Sequence, residues 1–253
     1  MTPPVQSFQR GLLILEYLNR HNGSHANAVS KGTGLTRGTT FRLLETLRGG
    51  QYVMRDSNSG RYFLKLHVRA LSDGYSDEKW IDEIAQPKLH ALGQELVWPM
   101  TISTPSGVDM LIRINTDFES PLSQNRFLTG HRGPILASAS GLVFLSFCNE
   151  NQRDTLIEVA TQSGQFKNNA FVANPQALEN SIKAVRLAGF AKRVEGSRSV
   201  MSVPVFSQAR ILACLAIRYF STAVRDKQVK DRFLPLLKKA ADEITAEFSR
   251  LAP

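Results

Sequence analysis

Residues 26–48, ANAVSKGTGLTRGTTFRLLETLR, set short polar and basic side chains at helical spacing behind a glycine turn. Arg37 and Arg42 carry guanidinium forks able to bond the major-groove edge of guanine. Thr36, Thr39 and Thr40 are short enough to let a helix backbone come close to base pairs. Arg10, Asn58 and Arg61 lie where phosphate or minor-groove contacts would form. This chemistry is recognition of duplex DNA. A second candidate, Arg218, sits in the apolar run ILACLAIRYF. Alternation puts Leu212, Cys214, Ala216, Arg218 and Phe220 on one strand face. Burying a lone guanidinium is costly, so Arg218 needs a partner. That partner is a ligand carboxylate, a structural Asp or Glu, or solvent reached by the long side chain.

The elements that must position the first set follow from local patterns. Gly32 and Gly34 bracket a turn between two helices, and Thr36 is a good N-cap for the second. Phe41, Leu44 and Leu47 recur at i, i+3 and i+6, which predicts a shared core face. The opposite face then carries Gly38, Thr39, Arg42 and Thr46. Upstream, Phe8, Leu12, Leu15 and Leu18 predict a supporting amphipathic helix. Downstream, QYVMRDSNSGRYFLKL predicts a hairpin, with strands Tyr52–Arg55 and Arg61–Leu66 around the loop Asp56–Gly60. Three helices and a hairpin make a winged helix-turn-helix. The alternative is a buried helical hairpin with no nucleic-acid role.

Charge points the same way. Residues 1–70 hold ten Lys/Arg against three Asp/Glu, a net +7 of the chain's +9. A basic excess confined to the segment with the helix-turn-helix pattern is the footprint of phosphate binding. The 253-residue chain is long enough for two domains. It has no apolar run of about 18 residues and no apolar signal-peptide core at its N-terminus. Its two cysteines, Cys148 and Cys214, stand in apolar runs without metal-ligand spacing and read as buried reduced thiols. The expected compartment is the cytoplasm. No Ser-His-Asp or Cys-His arrangement, metal spacing or phosphate loop stands out. His131 is the lone histidine after the connector, so neither catalysis nor a cofactor nor a metal is expected.

The rest of the chain reads as an α+β fold. A connecting helix is expected from about Glu78 to Leu96, with a break or kink at Pro87. Thr101–Ser103 and Met110–Ile114 are candidate strands around the turn Pro105–Gly107. Ser138 or Ser140 caps a helix running to Phe147. Asn151–Ala160, Asn174–Ala188 and Lys227–Arg250 are expected helices. Met201–Phe206 and Leu212–Tyr219 are an expected antiparallel pair.

The segments RGLLILEYLNR, GLTRGTTFRLLETLRGGQYV and SGRYFLKL resemble the IclR family of bacterial transcriptional regulators, and GHRGPILASASGLVFLSF resembles the family's entry into a helix at the floor of its effector pocket. LSDGYSDEKWI and ELVWPMTIST look closest to the aromatic-acid catabolism (MhpR-like) branch. The resemblance implies a winged helix-turn-helix over 1–72, a linker helix over 73–97 and a GAF-like effector domain over 98–253, with an antiparallel sheet flanked by helices. It implies a homodimer or tetramer on a palindromic operator and a small carboxylic acid as effector. Family pockets hold a carboxylate on N–H groups at a helix start, which here are those of Ala139 and Ser140. A helix N-terminus offers free donors and partial positive charge to any anion, although an ordinary capped helix offers the same. The family's polar positions on the later strand correspond to Ala216 and Arg218, and Arg126 matches a basic residue of the aromatic-acid branch. Trp98, Thr101, Ser103 and Phe127 are candidate lining residues; for the two aromatics core packing is the alternative.

Two departures bear on the effector. The family's frequent Gly-Lys-Ala reads Gly141-Leu142-Val143 here. The stretch from Gly189 to Met201 is shorter than in glyoxylate- and pyruvate-responsive members, with Glu195 near but not aligned to the family's acidic pocket residue. Both leave room for an effector larger than two or three carbons. The expected function is a ligand-responsive regulator, an activator by its branch, of an aromatic-acid catabolic operon. The alternatives are a repressor sensing a small aliphatic acid and a DNA-binding protein without a ligand.

Overall fold

The computed structural model describes residues 3–71, 78–124, 126–163 and 170–251. The chain separates into two compact units, Met1–Ser76 and Asp77–Pro253. The 72/73 boundary and the first residues of the expected linker fall outside the described residues.

In the first unit, α1 (Gln6–Arg20), α2 (Ala26–Thr33) and α3 (Arg37–Gly49) precede a hairpin of β1 (Val53–Arg55) and β2 (Tyr62–Leu64). Gly34 caps α2 at φ +71°, a left-handed conformation open to glycine at little cost. Ile14, Leu18, Val29, Leu44, Val53 and Tyr62 form the core. The phases of two helices differ from the sequence expectation. Phe8 and Leu12 of α1 are 67% and 42% exposed, because the core begins only at Ile14 and the first turns extend past it. On α3, Phe41 is 48% exposed while Thr40 is fully buried. A β-branched threonine fills the position because its hydroxyl donates to the Thr36 carbonyl at 3.0 Å.

In the second unit, a π-helical turn (Ile81–Ala85) runs into α4 (Gln86–Leu96). Pro87 lacks an N–H and crowds the preceding turn, and the wider π turn lies just where that strain falls. Then follow β3 (Met100–Ser106), β4 (Asp109–Asn115), β5 (Arg132–Pro134), α5 (Ala139–Phe147), α6 (Glu150–Gln162), α7 (Ala170–Ala173) and α8 (Pro175–Ala188). The chain closes with β6 (Ala191–Glu195), β7 (Arg198–Ser207), β8 (Arg210–Phe220), the short α9 (Asp226–Gln228), a second π turn (Val229–Phe233) and α10 (Leu234–Leu251). The strands form one antiparallel sheet in the order β5-β4-β3-β8-β7-β6. The short strands β5 and β6 and the start of β7 were not anticipated.

Strand alternation divides the sheet between two cores. Ile102, Met201, Val203, Leu215 and Ile217 face α4 and α10. Met110, Cys214 and Ala191 face α5 and α8. Helix α5 is apolar all round and buried on every side from Ala139 to Ser146, as expected of a helix between a sheet and another helix. Ser138 is its N-cap, accepting from the Gly141 N–H at 3.0 Å. Both cysteines are buried and reduced, and burial pushes the Cys148 thiol up to about 11 and that of Cys214 higher still.

The seating of α5 depends on Gly141. A Cβ there would lie 1.9 Å from the Ile135 carbonyl oxygen, and that atom is backbone with nowhere to move. Gly141→Ala is therefore expected to destabilise the second unit by about 3 kcal/mol or more. Trp80 and Trp98 both report on this unit, so denaturant unfolding followed by tryptophan fluorescence checks it. A wild-type midpoint would contradict the packing described.

Candidate functional site

Each unit presents one candidate site. In the first, α3 exposes Arg37, Gly38, Phe41 and Arg42, with Thr39 half-buried. The Thr36 hydroxyl caps the helix by accepting from the Thr39 N–H at 3.3 Å and also donates to the Thr39 hydroxyl at 2.9 Å. Thr36 and Thr39 thus satisfy each other at the N-terminus of α3, beside Arg37. Thr40, grouped with them from sequence, is turned into the core and cannot reach DNA. The expected face keeps Gly38, Arg42 and Thr46 exposed and Thr39 half-buried, and it widens to take in Phe41, which sequence reasoning had assigned to the core.

The wing is held close to α3. Tyr62 on β2 donates to Glu45 on α3 at 3.1 Å, and burial raises the Tyr62 phenol above its usual pKa. Glu45 also pairs with Arg48. At the wing tip the Asp56 carboxylate accepts from both the backbone and the hydroxyl of Ser59, bonds that lower its pKa. Asn58 is exposed there, and Arg61 is exposed with a 3.4 Å bond to the Gly23 carbonyl. Arg10 is exposed on α1, bonded to Gln6 at 3.1 Å.

In the second unit, a cavity of about 550 Å³ lies between the sheet and the N-terminus of α5. That volume suits a small organic ligand. The structure brings seven sequence-predicted residues to its wall: Trp98, Thr101, Ser103, Ala139, Ser140, Ala216 and Arg218. Phe127 joins them. Register explains the grouping, because Thr101 pairs with Ala216 and Ser103 with Cys214 across β3 and β8, placing them on one face. The Ser140 hydroxyl lies 3.2 Å from that of Ser202, so it is turned into the sheet. What Ala139 and Ser140 offer the cavity is their first-turn backbone N–H groups. Arg126 is not brought to the wall; it is exposed, with its guanidinium 5.0 Å from the centre of the Phe118 ring.

Arg218 has a protein partner. Its guanidinium bonds the carboxylate of Asp117, which is 1% exposed, and stacks 4.5 Å from the centre of the Phe127 ring. The structural ion pair left open by the sequence is thus present. Asp117 also accepts from the Ser123 hydroxyl, which ties the loop after β4 to the sheet. Sequence reasoning missed Asp117, and it missed Arg193 on β6, whose side chain lines the cavity. The signal for Arg193 was the cluster KRVEGSR after Gly189, in a stretch too polar to read as a strand.

Arg42→Ala should weaken binding to a preferred duplex by about 1–3 kcal/mol and relax its sequence preference. Arg61→Ala should weaken binding to all duplexes alike. Fluorescence anisotropy on specific and scrambled duplexes at several salt concentrations separates the two, and equal effects on both duplexes for Arg42→Ala would remove it from base reading. Asp117→Asn leaves the Arg218 charge largely buried without its carboxylate, at a cost of about 3 kcal/mol. Denaturant unfolding measures it, and an unchanged midpoint would show the pair to be dispensable.

Comparison with known proteins agrees with this two-part layout. Residues 7–57 match the IclR helix-turn-helix domain, and residues 75–246 match the bacterial transcriptional regulator IclR C-terminal family. The chain is 24% identical to the HTH-type transcriptional repressor AllR of Salmonella typhimurium strain LT2, over 98% of this chain and 92% of that protein. Its fold resembles the crystal structure of Thermotoga maritima IclR, with a TM-score of 0.68 and 16% identity over 97% of this chain and 100% of that one. It also resembles an IclR homologue of Microbacterium hydrocarbonoxydans solved in complex with 4-hydroxybenzoate, with a TM-score of 0.62 and 18% identity over 96% of this chain and 99% of that one. The chain belongs to the IclR family of DNA-binding bacterial transcriptional regulators.

Proposed function

We propose that this regulator responds to a small aromatic carboxylic acid bound in the cavity of the second unit, and that it controls an aromatic-acid catabolic operon. The observation that carries the reading is the cavity itself. A pocket of about 550 Å³ combines apolar walls (Met110, Ile112, Phe127, Val200) with the open N-terminus of α5 and arginine side chains. Such a wall accepts a flat apolar body, and such a helix end accepts a carboxylate. The 4-hydroxybenzoate held by the Microbacterium homologue supports the same ligand class. A cavity of this size left unfilled by side chains also weighs against a ligand-free DNA-binding protein.

In this reading Arg37 and Arg42 read base edges, Thr36 and Thr39 set the close approach of α3, and Arg10, Asn58 and Arg61 meet the backbone. The protein acts as a homodimer, or a tetramer built from dimers, on a palindromic operator, since two-fold symmetry doubles the contacts on paired half-sites. Activation follows from the aromatic-acid branch resemblance. A second reading, repression relieved by the acid, is favoured by the AllR relative, which is a transcriptional repressor.

The test selects duplexes from a random pool with the full-length protein, then titrates the selected DNA with hydroxybenzoates, hydroxyphenylpropionates, pyruvate and glyoxylate. The expected result is an inverted-repeat sequence whose affinity shifts about fivefold or more with one hydroxylated aromatic acid. A shift with only pyruvate or glyoxylate, or with none of the acids, would overturn the aromatic-effector reading. The direction of the shift, read beside transcription in vitro, decides between activation and relief of repression.

A further inference from the structure

The cavity wall carries a half-buried cation, Arg193, with no ion pair among the described residues. Arg193 of β6 pairs with Val200 of β7, and Val200 pairs with Arg218 of β8. The two arginines therefore stand in one cross-strand row on the cavity face, about 10 Å apart at Cα. Their surroundings differ. Arg218 is already bonded to Asp117. Arg193 has no ion pair among the described residues, and its Nε is buried with no acceptor. One face of its guanidinium lies 4.5 Å from the centre of the Phe171 ring. Its Nη2 donates to the Leu136 carbonyl at 3.4 Å. Leu136 is two residues ahead of Ser138, the N-cap of α5, so the Arg193 guanidinium reaches the segment that leads into α5, and Arg193, Ala139 and Ser140 line the same cavity.

Glu195 and Arg198 are register partners at the solvent-exposed end of β6 and β7. Arg193 is half-buried, and it is the enclosed arginine that remains once Arg218 is met by Asp117. A further polar group also waits for a partner: the Ser103 hydroxyl is 3% exposed, lines the cavity and has no hydrogen bond. A buried hydroxyl is normally hydrogen-bonded, so Ser103 is free to bond a polar group of a cavity ligand.

Resting on the effector reading above, we propose that Arg193 is the residue that binds the effector's carboxylate. Its guanidinium takes one edge of the carboxylate as a fork, and the N–H groups of Ala139 and Ser140 take the other. Arg218 is a wall residue held by Asp117, and its charge is spent before the effector arrives. One unmatched positive charge specifies a monocarboxylate, and Ser103 selects an acid whose apolar body carries a hydroxyl.

Calorimetric titration of the full-length protein tests this with benzoate, the three monohydroxybenzoates, 3-hydroxyphenylpropionate, phthalate and 4-hydroxybenzamide as probes. The expected result is that wild type binds a hydroxylated monocarboxylate at least tenfold tighter than benzoate, phthalate or the uncharged amide. Arg193→Gln should bind it at least tenfold more weakly. Arg193→Lys, which keeps the charge but loses the fork, should fall between them. The double variant Asp117→Asn/Arg218→Gln, which removes the pair without stranding either charge, should lose less affinity than Arg193→Gln. Should Arg193→Gln fail to fold, Arg193→Lys decides in its place, and wild-type affinity there overturns the proposal. An acid bound equally by wild type and Arg193→Gln, or lost only in the double variant, overturns the role of Arg193 and leaves the effector reading standing. No binding of any acid by wild type overturns both.

Discussion

The contact on which the second unit depends is backbone against backbone: the first turn of α5 set onto the Ile135 carbonyl at Gly141. No side chain intervenes there, and none could. This contact brings the start of an entirely buried helix down onto the sheet, where the Ser140 hydroxyl meets Ser202 and the Cys214 thiol donates to the Ser140 carbonyl. The helix is pinned through its interior-facing atoms, while Ser138 satisfies only part of the first turn. The remaining donors open into the cavity. A family departure at the next two positions, Leu142 and Val143, fits this seating, because both are buried against apolar neighbours where a lysine would carry its charge into the core.

The sheet sorts its residues with the same economy. On β7 and β8, Met201, Val203, Leu215 and Ile217 go to the core under α10, while Val200, Ser202, Ala216 and Arg218 turn toward α5. One register therefore fixes both the stability of the unit and the composition of its cavity. The Asp117–Arg218 pair belongs to the first of these roles. It joins the loop after β4 to the central strand and shapes the wall where Phe127 stacks. A ligand approaching this row meets one arginine whose charge is already matched and another whose charge is open, and the difference sets where an anion can rest.

Much of this was legible in the sequence because it depends on short-range pattern. The Ser138 cap, the alternation of ILACLAIRYF and the helix-glycine-helix segment each declare themselves within about ten residues. What depends on partners far along the chain was not legible. Asp117 lies 101 residues from Arg218, and nothing in either neighbourhood names the other. Strands β5 and β6 are sheet edges, too short or too polar to show a period, so Arg193 stayed hidden with β6. The phase of α3 failed for another reason. Hydrophobicity placed Phe41 inside, yet a threonine able to bond its own helix backbone fills that position, and the phenylalanine stands with Arg37 and Arg42 on the exposed face.

The central claim is that the open first turn of α5 is the anion end of an effector cavity. The most direct measurement is an NMR titration of protein with ¹⁵N-labelled alanine and serine, following the Ala139 and Ser140 amides as 4-hydroxybenzoate or 3-hydroxyphenylpropionate is added. Both amide protons should move downfield and saturate together with the bound fraction, as expected for N–H groups that gain a carboxylate acceptor. An acid that binds while these two amides stay in place would contradict the account.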